Sequence, residues 1–251
     1  MAHDPGGLTT RPTKERSMPL SNKIALVAGG TGGVGEGIVR ALLKANAVVI
    51  VPSRTETKLT RLRTYLADVP TGKLVTVAEN ISTEEGADAV RDFVRKTYGA
   101  LDLVVASLGG WWQGLPLTEL DLKTWNTLLT NNLTSHFLAI NRFVPLLRPE
   151  SGVYVHVNGF SAEQAYPKAA PVAMSAAAQK SLVTTLAAEL EPTGIRVYEL
   201  ILGPIKTRDR LRHGWGKPDW YAPEEIGEYI VRLFTGTDET LVHRLLSKTD
   251  E

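Results

Sequence analysis

The chain has 251 residues, 43% of them hydrophobic and 22% charged, which is enough apolar content for one large domain. Its 28 basic and 27 acidic side chains give a net charge of +1, and no basic stripe indicates nucleic acid or an anionic membrane as a partner. Cysteine is absent, so disulfides and thiolate metal sites are excluded, and we expect no metal.

Apolar runs in the chain are no longer than a strand, so we expect no membrane span. Residues 1–20 are polar and lack the apolar core of a signal peptide. We therefore expect a flexible N-terminal arm over residues 1–20 and a cytoplasmic protein.

Residues 24–28 form a short apolar run that predicts a buried parallel strand. A glycine-rich turn follows it, and apolar residues recur at helical spacing from Ile38. A strand, a glycine turn and a helix in this order are typical of a phosphate-binding site, because glycine allows close backbone approach and the helix start offers free N–H groups.

The rest of the chain continues this alternation of strand and helix. Strands are predicted at 47–52, 74–77, 101–106, 152–157 and 195–201, and helices at 56–67, 83–98 and 120–145. The pattern predicts a single α/β domain over residues 21–251, with a Rossmann-like, doubly wound parallel sheet of about six or seven strands and helices on both faces. A glycine-rich final strand is not recognisable after residue 235.

The glycine spacing is specific, since Gly29, Gly33 and Gly35 form Gly-x-x-x-Gly-x-Gly. This resembles the short-chain dehydrogenase/reductase family, and later segments match family landmarks in order: residues 182–190, residues 194–197 and residues 203–207. The resemblance covers residues 20–235. It implies an oxidoreductase with a nicotinamide dinucleotide, a small-molecule substrate, and a homodimer or homotetramer formed through helices 120–144 and 175–190.

The cofactor is expected to be NADP(H) rather than NAD(H). Ser53 and Arg54 follow the second strand, where a carboxylate would bind the ribose of NAD and an arginine favours the 2′-phosphate of NADP. The resemblance implies further cofactor contacts from Gly29, Thr31, Gly33, Val34, Gly35, Asn80, Gly109, Gly203 and Thr207.

The family's catalytic residues are largely missing from this chain. The register places Gly159 at the family's serine, Val172 at its tyrosine and Ala176 at its lysine, so only Asn132 remains. Valine cannot donate a proton and alanine carries no charge. Tyr166, six residues ahead of Val172, is the candidate replacement proton donor.

Two loops supply candidate substrate contacts. Trp111 and Trp112 follow the fourth strand and are suited to an apolar or aromatic ligand, although packing within the protein is an equally good interpretation. Asn158 and Ser161 flank Gly159, and Trp215 lies in a polar segment, residues 208–221, that is a candidate substrate lid. His136 and His156 are interpreted as packing residues.

Three functions remain open from the sequence. The first is an atypical oxidoreductase whose proton comes from substrate, water or a displaced residue such as Tyr166. The second is a non-redox enzyme on the same scaffold, such as an isomerase, lyase or cyclase. The third is a catalytically degenerate binding or partner subunit, since function depends on the site and not on the fold.

Overall fold

A computed structural model of the protein describes residues 19–249, so residues 1–18 of the expected N-terminal arm lie outside the described part. Seven strands in this part form one sheet: β1 (Ile24–Ala28), β2 (Val48–Pro52), β3 (Lys73–Val77), β4 (Leu103–Ala106), β5 (Val153–Gly159), β6 (Arg196–Leu202) and β7 (Val242–Leu245). Their order is β3-β2-β1-β4-β5-β6-β7, and every neighbouring pair is parallel. The predicted doubly wound parallel sheet is therefore confirmed.

Helices connect the strands: α1 (Gly35–Lys44), α2 (Glu56–Tyr65), α3 (Glu84–Tyr98), α4 (Leu122–Leu129), α5 (Ser135–Phe143), α6 (Ala170–Leu190), α7 (Arg208–Arg212) and α8 (Pro223–Thr235). Within residues 19–249, no helix is both long and apolar enough to cross a membrane.

Each face of the sheet carries its own apolar core, because successive strand side chains point to opposite faces. On one face Val105 and Val155 share a core with Ile38 of α1 and Ile230 of α8. On the other face, alternate strand residues pack against α3, α5 and α6. Both sides of every central strand are buried, which explains why the strands read as continuous apolar runs.

The structure adds two features that the sequence analysis did not specify: the last strand of the sheet and a π turn within one predicted helix. β7 exists without a glycine, and its four residues are recognisable only through pairing with β6, in which Glu199 lies opposite Val242. The helix expected over 120–145 is divided by a wider π turn, Thr130–Thr134, between α4 and α5. Propensity does not predict such a turn; tertiary contacts to Asn132, described below, fix it.

The topology determines where a ligand can bind. The chain runs outward from β1 to β3 and then returns to place β4 on the other side of β1. The connections after β1 and β4 therefore leave in opposite directions, and a crevice forms between them at the carboxyl ends of the strands.

Candidate functional site

A cleft of about 370 Å³ opens at the carboxyl ends of β1 to β4. Its walls come from the loops that follow these strands, and its far side is closed by α4, the π turn and α5. The lining residues include Gly29, Thr31, Gly32, Ser53, Arg54, Lys58, Glu79, Asn80, Leu108, Gly109, Trp111, Trp112, Asn131 and Asn132. This cleft is a candidate site for a long polar ligand, because it crosses the ends of four strands.

Half of the sequence-predicted residues line this cleft, and the other half do not. Gly29, Thr31, Ser53, Arg54, Asn80, Gly109, Asn132, Trp111 and Trp112 all line it. Gly33, Val34, Gly35, Gly203, Thr207, Asn158, Ser161, Tyr166 and Trp215 do not contribute to its lining.

The glycine loop after β1 is folded tightly on itself. Gly29 has a φ of +85°, and a Cβ there would lie 2.0 Å from the carbonyl oxygen of Ser107. A Cβ on Gly35 would lie 2.1 Å from the carbonyl oxygen of Gly29. No side chain larger than hydrogen fits at either position, so glycine is required by close backbone packing as well as by conformation.

The start of α1 presents unsatisfied donors. Val34 precedes the helix without a side-chain cap, and the backbone N–H groups of Thr31, Gly33, Val34 and Gly35 donate to no described residue. Backbone N–H groups are normally paired, so four free ones at a helix start form a ready anion-binding site. This donor set matches the pyrophosphate of a dinucleotide.

Two cations stand at the β2 end of the cleft. Arg54 extends across to Asn131, with 3.5 Å between its Nη1 and the amide Oδ1, and Lys58 lines the same corner from α2. Ser53 is buried and lies 3.3 Å, Oγ to Oγ, from Thr31, which joins this corner to the glycine loop. Sequence reasoning missed Lys58. Its position, four residues after Arg54 and in the first turn of the next helix, could have indicated a second cation at this corner.

Asn132 holds the loop after β4 in place. Its Oδ1 accepts a hydrogen bond of 2.8 Å from the N–H of Gly110, and its Nδ2 donates to the carbonyl of Leu128 at 3.0 Å. The buried side chain of Gln179 on α6 donates to the carbonyl of Asn132, which the π turn leaves available. Gly109 has a φ of +86°, and a Cβ there would lie 2.2 Å from Asn132 Oδ1.

Three aromatic rings meet beside the cleft. Trp111 stacks on Phe160 with 6.4 Å between ring centroids, and Tyr166 packs edge-on against both, at 5.2 Å from Trp111 and 5.0 Å from Phe160. We call these three residues the aromatic cluster. Sequence reasoning identified Trp111 and Tyr166 separately but missed Phe160 and the contact among them, because the rings come from loops about 50 residues apart.

The loop after β6 contacts the glycine loop. The methyl group of Thr207 packs on Gly33, where an added Cβ would approach it to 3.0 Å, and its hydroxyl accepts a hydrogen bond from Arg210 at the start of α7. Arg208 then forms two hydrogen bonds, of 2.6 and 2.5 Å, with the carboxylate of Glu36 on α1. The base of the predicted lid is thus fastened beside the glycine loop.

Two predicted residues near this loop lie away from the cleft. Gly203 packs against the chain that follows β7, where a Cβ would lie 2.1 Å from the carbonyl of Leu246. Trp215 is 62% exposed and stacks on His213.

The comparisons with known proteins decide the family. The family model described as short chain dehydrogenase matches residues 23–213. The chain belongs to this family. An uncharacterized oxidoreductase from Staphylococcus saprophyticus is 25% identical over 213 residues, which cover 84% of this chain and 91% of the relative.

Solved structures of other proteins share this fold. L-sorbose reductase from Gluconobacter frateurii, complexed with NADPH and L-sorbose, has a TM-score of 0.81 and 22% identity, covering 92% of this chain and 97% of that one. A metagenomic short-chain oxidoreductase in complex with NADP has a TM-score of 0.77 and 23% identity, and the match covers 91% of this chain and 97% of that one.

Gly159, Val172 and Ala176 are the residues that the sequence register predicts at the family's serine, tyrosine and lysine positions. Val172 and Ala176 lie on α6 and are 8% and 5% exposed. Gly159 ends β5, and a Cβ there would meet nothing closer than Ser161 Oγ at 3.7 Å. A Cβ would therefore fit at Gly159.

A buried polar cluster lies beneath these positions, between the sheet and helices α5 and α6. Asn158 donates to Glu199 Oε1 and to the carbonyl of Ala176, each at 2.9 Å, so its amide faces the interior. His156 Nδ1 lies 3.8 Å from the same Glu199 oxygen, and its ring is 4.6 Å from the ring of His136. His136 Nε2 lies 3.3 Å from the carbonyl oxygen of Leu108, which borders the cleft.

Burial decides the ionisation of this cluster. It lowers the pKa of His136 to about 4, and burial followed by the neighbouring His136 lowers the pKa of His156 well below its ordinary value. Burial raises the pKa of the Glu199 carboxyl, opposed by the hydrogen bond from Asn158. Both imidazoles are therefore neutral near pH 7. Both side chains are fully buried, which confirms their interpretation as packing residues.

Proposed function

We propose that this short-chain dehydrogenase binds NADP(H) and reduces a small carbonyl compound. The observation that carries the proposal is the set of four unpaired N–H groups at the uncapped start of α1. Such a set suits a pyrophosphate, and the adjoining cleft crosses four strand ends, which suits the rest of a dinucleotide.

Arg54 and Lys58 support a preference for NADP(H) over NAD(H). Both line the β2 corner, where a 2′-phosphate would add about two negative charges, and Glu79 is the carboxylate that lines the same cleft. Two cations near one phosphate favour the phosphorylated cofactor, whereas Glu79 opposes it only in part. Two of the similar solved structures are complexes with NADP and with NADPH, which agrees with this assignment.

The cofactor, when bound, supplies a hydride, and reduction of a carbonyl also requires a proton at the oxygen. Val172 and Ala176 cannot supply or assist that proton. Tyr166 is the proposed donor, because its ring is held by Trp111 and Phe160 at the side of the cleft. Asn132 orients the loop that borders the site through Gly110 and is a positioning residue in this scheme.

Titration of intrinsic tryptophan fluorescence with NADPH and with NADH tests the cofactor. We expect NADPH to bind at least tenfold more tightly, with Arg54→Ala reducing the ratio, because loss of one phosphate contact costs about 1–2 kcal/mol. Failure of both dinucleotides to bind would refute the proposal. Trp125→Phe, a change outside the cleft lining, serves as the fluorescence control.

Turnover of a ketone panel with NADPH tests the donor. Tyr166→Phe keeps the ring contacts and removes only the hydroxyl, so we expect turnover to fall by about 10²-fold or more with cofactor affinity unchanged. Unchanged turnover in this variant would exclude Tyr166 as the donor.

A non-catalytic role is the second candidate, and the buried apolar side chains of Val172 and Ala176 favour it. Under this alternative NADPH binds and no carbonyl compound is reduced. A non-redox reaction on the same scaffold would appear as conversion of a substrate with no change in NADPH absorbance.

The protein is also proposed to form a homo-oligomer through α4, α5 and α6. Each of these helices exposes a large apolar side chain, namely Leu122, Phe137 and Met174, which supports a contact between copies there.

A further inference from the structure

We infer that the aromatic cluster recognises a flat, conjugated carbonyl compound, which would bind against the accessible part of Trp111. This inference rests on the proposed function and specifies its substrate class. Trp111 is 49% exposed although it contacts two other rings, so the cluster leaves much of one indole open to solvent. An indole that is partly open to solvent and held beside a cleft is available to stack on a planar ligand, which would remove apolar surface of both from water.

The cluster is preorganised by hydrogen bonds between its two loops. Gln113 Nε2 donates to the carbonyl of Pro167 at 2.9 Å, and the N–H of Gly114 donates to the carbonyl of Lys168 at 2.9 Å. These bonds fix the loop that carries Trp111 to the loop that carries Tyr166. A rigid ring loses little conformational freedom when a ligand binds, so it contributes more to affinity than a mobile one.

The second loop is also held from below. Glu163 lies between Phe160 and Tyr166 in sequence and pairs with Arg244 of β7, at 2.7 and 2.9 Å, and with Lys180 of α6. Arg244 first, and then Lys180, hold the pKa of Glu163 at about 2, so this carboxylate stays ionised and paired. Glu163 is therefore neutralised by its two partners and anchors the loop that carries Phe160 and Tyr166.

The position of the cluster connects it to the reaction site. Trp111 lines the cleft together with Gly109 and Asn132, whereas Phe160 directly follows Gly159 at the end of β5. A ring system resting on Trp111 would have its substituents near both segments. Planar π-systems gain from offset stacking on an indole, and a saturated ring of the same skeleton does not.

Binding of a matched pair of ketones tests the inference. The probes are 2-acetylnaphthalene and its fully saturated decalin analogue, measured by isothermal titration calorimetry with and without saturating NADPH. We expect the planar ketone to bind about tenfold more tightly to the wild-type protein. Trp111→Leu keeps an apolar side chain but removes the π-system, and we expect the ratio to fall to about twofold. Trp215→Leu is the matched indole control and should keep the full ratio.

Several results would overturn the inference. One is that the wild-type protein binds the planar and the saturated ketone equally well. Another is that Trp111→Leu keeps the wild-type ratio of the two affinities. A third is that Trp215→Leu loses this ratio, which would place the ligand at the α7 segment instead. The cluster could instead be a contact between two copies of the chain. In that case the preference for the planar ketone would disappear as the wild-type protein self-associates, and Trp111→Leu would remain monomeric in sedimentation. NADPH binding without planar preference would refute this inference alone, whereas planar preference without any NADPH binding would refute the proposed function alone.

Discussion

Acid should destabilise this protein through its buried histidines, and the contribution of His136 can be worked from the structure. His136 is fully buried, and its pKa is lowered from 6.5 to about 4 by burial. A folded-state pKa below the unfolded value means that the unfolded chain binds the proton first as the pH falls. The stability contributed by neutral His136 is therefore complete above about pH 6.5 and is lost as the pH falls towards 4.

The full loss corresponds to about 3 kcal/mol, at about 1.4 kcal/mol for each pH unit between the two pKa values, and about 2 kcal/mol of it is lost by about pH 5. His156 adds a change of the same sign, since its pKa is also lowered. Glu199 acts in the opposite direction, because its raised pKa favours the protonated folded state. Tyr154 lies on β5 with His156 and is also buried; burial raises its pKa, so it stays neutral across this range.

Urea unfolding near pH 7.5 and near pH 5, followed by circular dichroism, measures the effect. His136→Gln removes the titrating group and keeps a polar atom for the carbonyl of Leu108, so its stability should fall by about 2 kcal/mol less than that of the wild type over this interval. His213→Gln is the matched control, because His213 is exposed. Equal acid sensitivity in the wild type and His136→Gln would refute the reasoning that His136 is buried and neutral.

Two further predictions concern the site. Gln179→Ala should lower the free energy of unfolding by about 1–3 kcal/mol in urea titrations, because the carbonyl of Asn132 loses its partner in the interior. Gln179→Glu, which cannot donate when ionised, should not restore the lost stability, and a neutral outcome for both variants would contradict the assigned bond. Introducing Ser, Tyr and Lys at Gly159, Val172 and Ala176 together should raise NADPH-dependent ketone reduction by at least about tenfold, since a positioned general acid contributes about 10²–10⁴-fold. The matched triple variant with Phe in place of Tyr should show no such gain, and equal rates in the two would contradict the prediction.

Local sequence patterns were sufficient for the fold and for half of the site. Short apolar runs alternating with helical spacing predicted the strand and helix order, because buried parallel strands need side chains of one kind on both faces. The glycine turn was also predictable from its spacing. The requirement for Gly35 arises within that turn, from the carbonyl oxygen of Gly29, whereas the requirement for Gly29 comes from Ser107 in the loop after β4. β7 was missed because its four residues carry no periodic signal of their own and depend on pairing with β6.

The sequence by itself determined the order of strands and helices and the glycine turn, and a register along one helix predicts Val172 and Ala176 where the family has tyrosine and lysine. Tertiary structure decided what stands in that region instead. Gln179 meets Asn132, Phe160 meets Trp111, and Glu199 meets Asn158 across separations of about 40 to 50 residues. Such contacts depend on how whole strands and helices pack, and a linear pattern records only the neighbours along the chain.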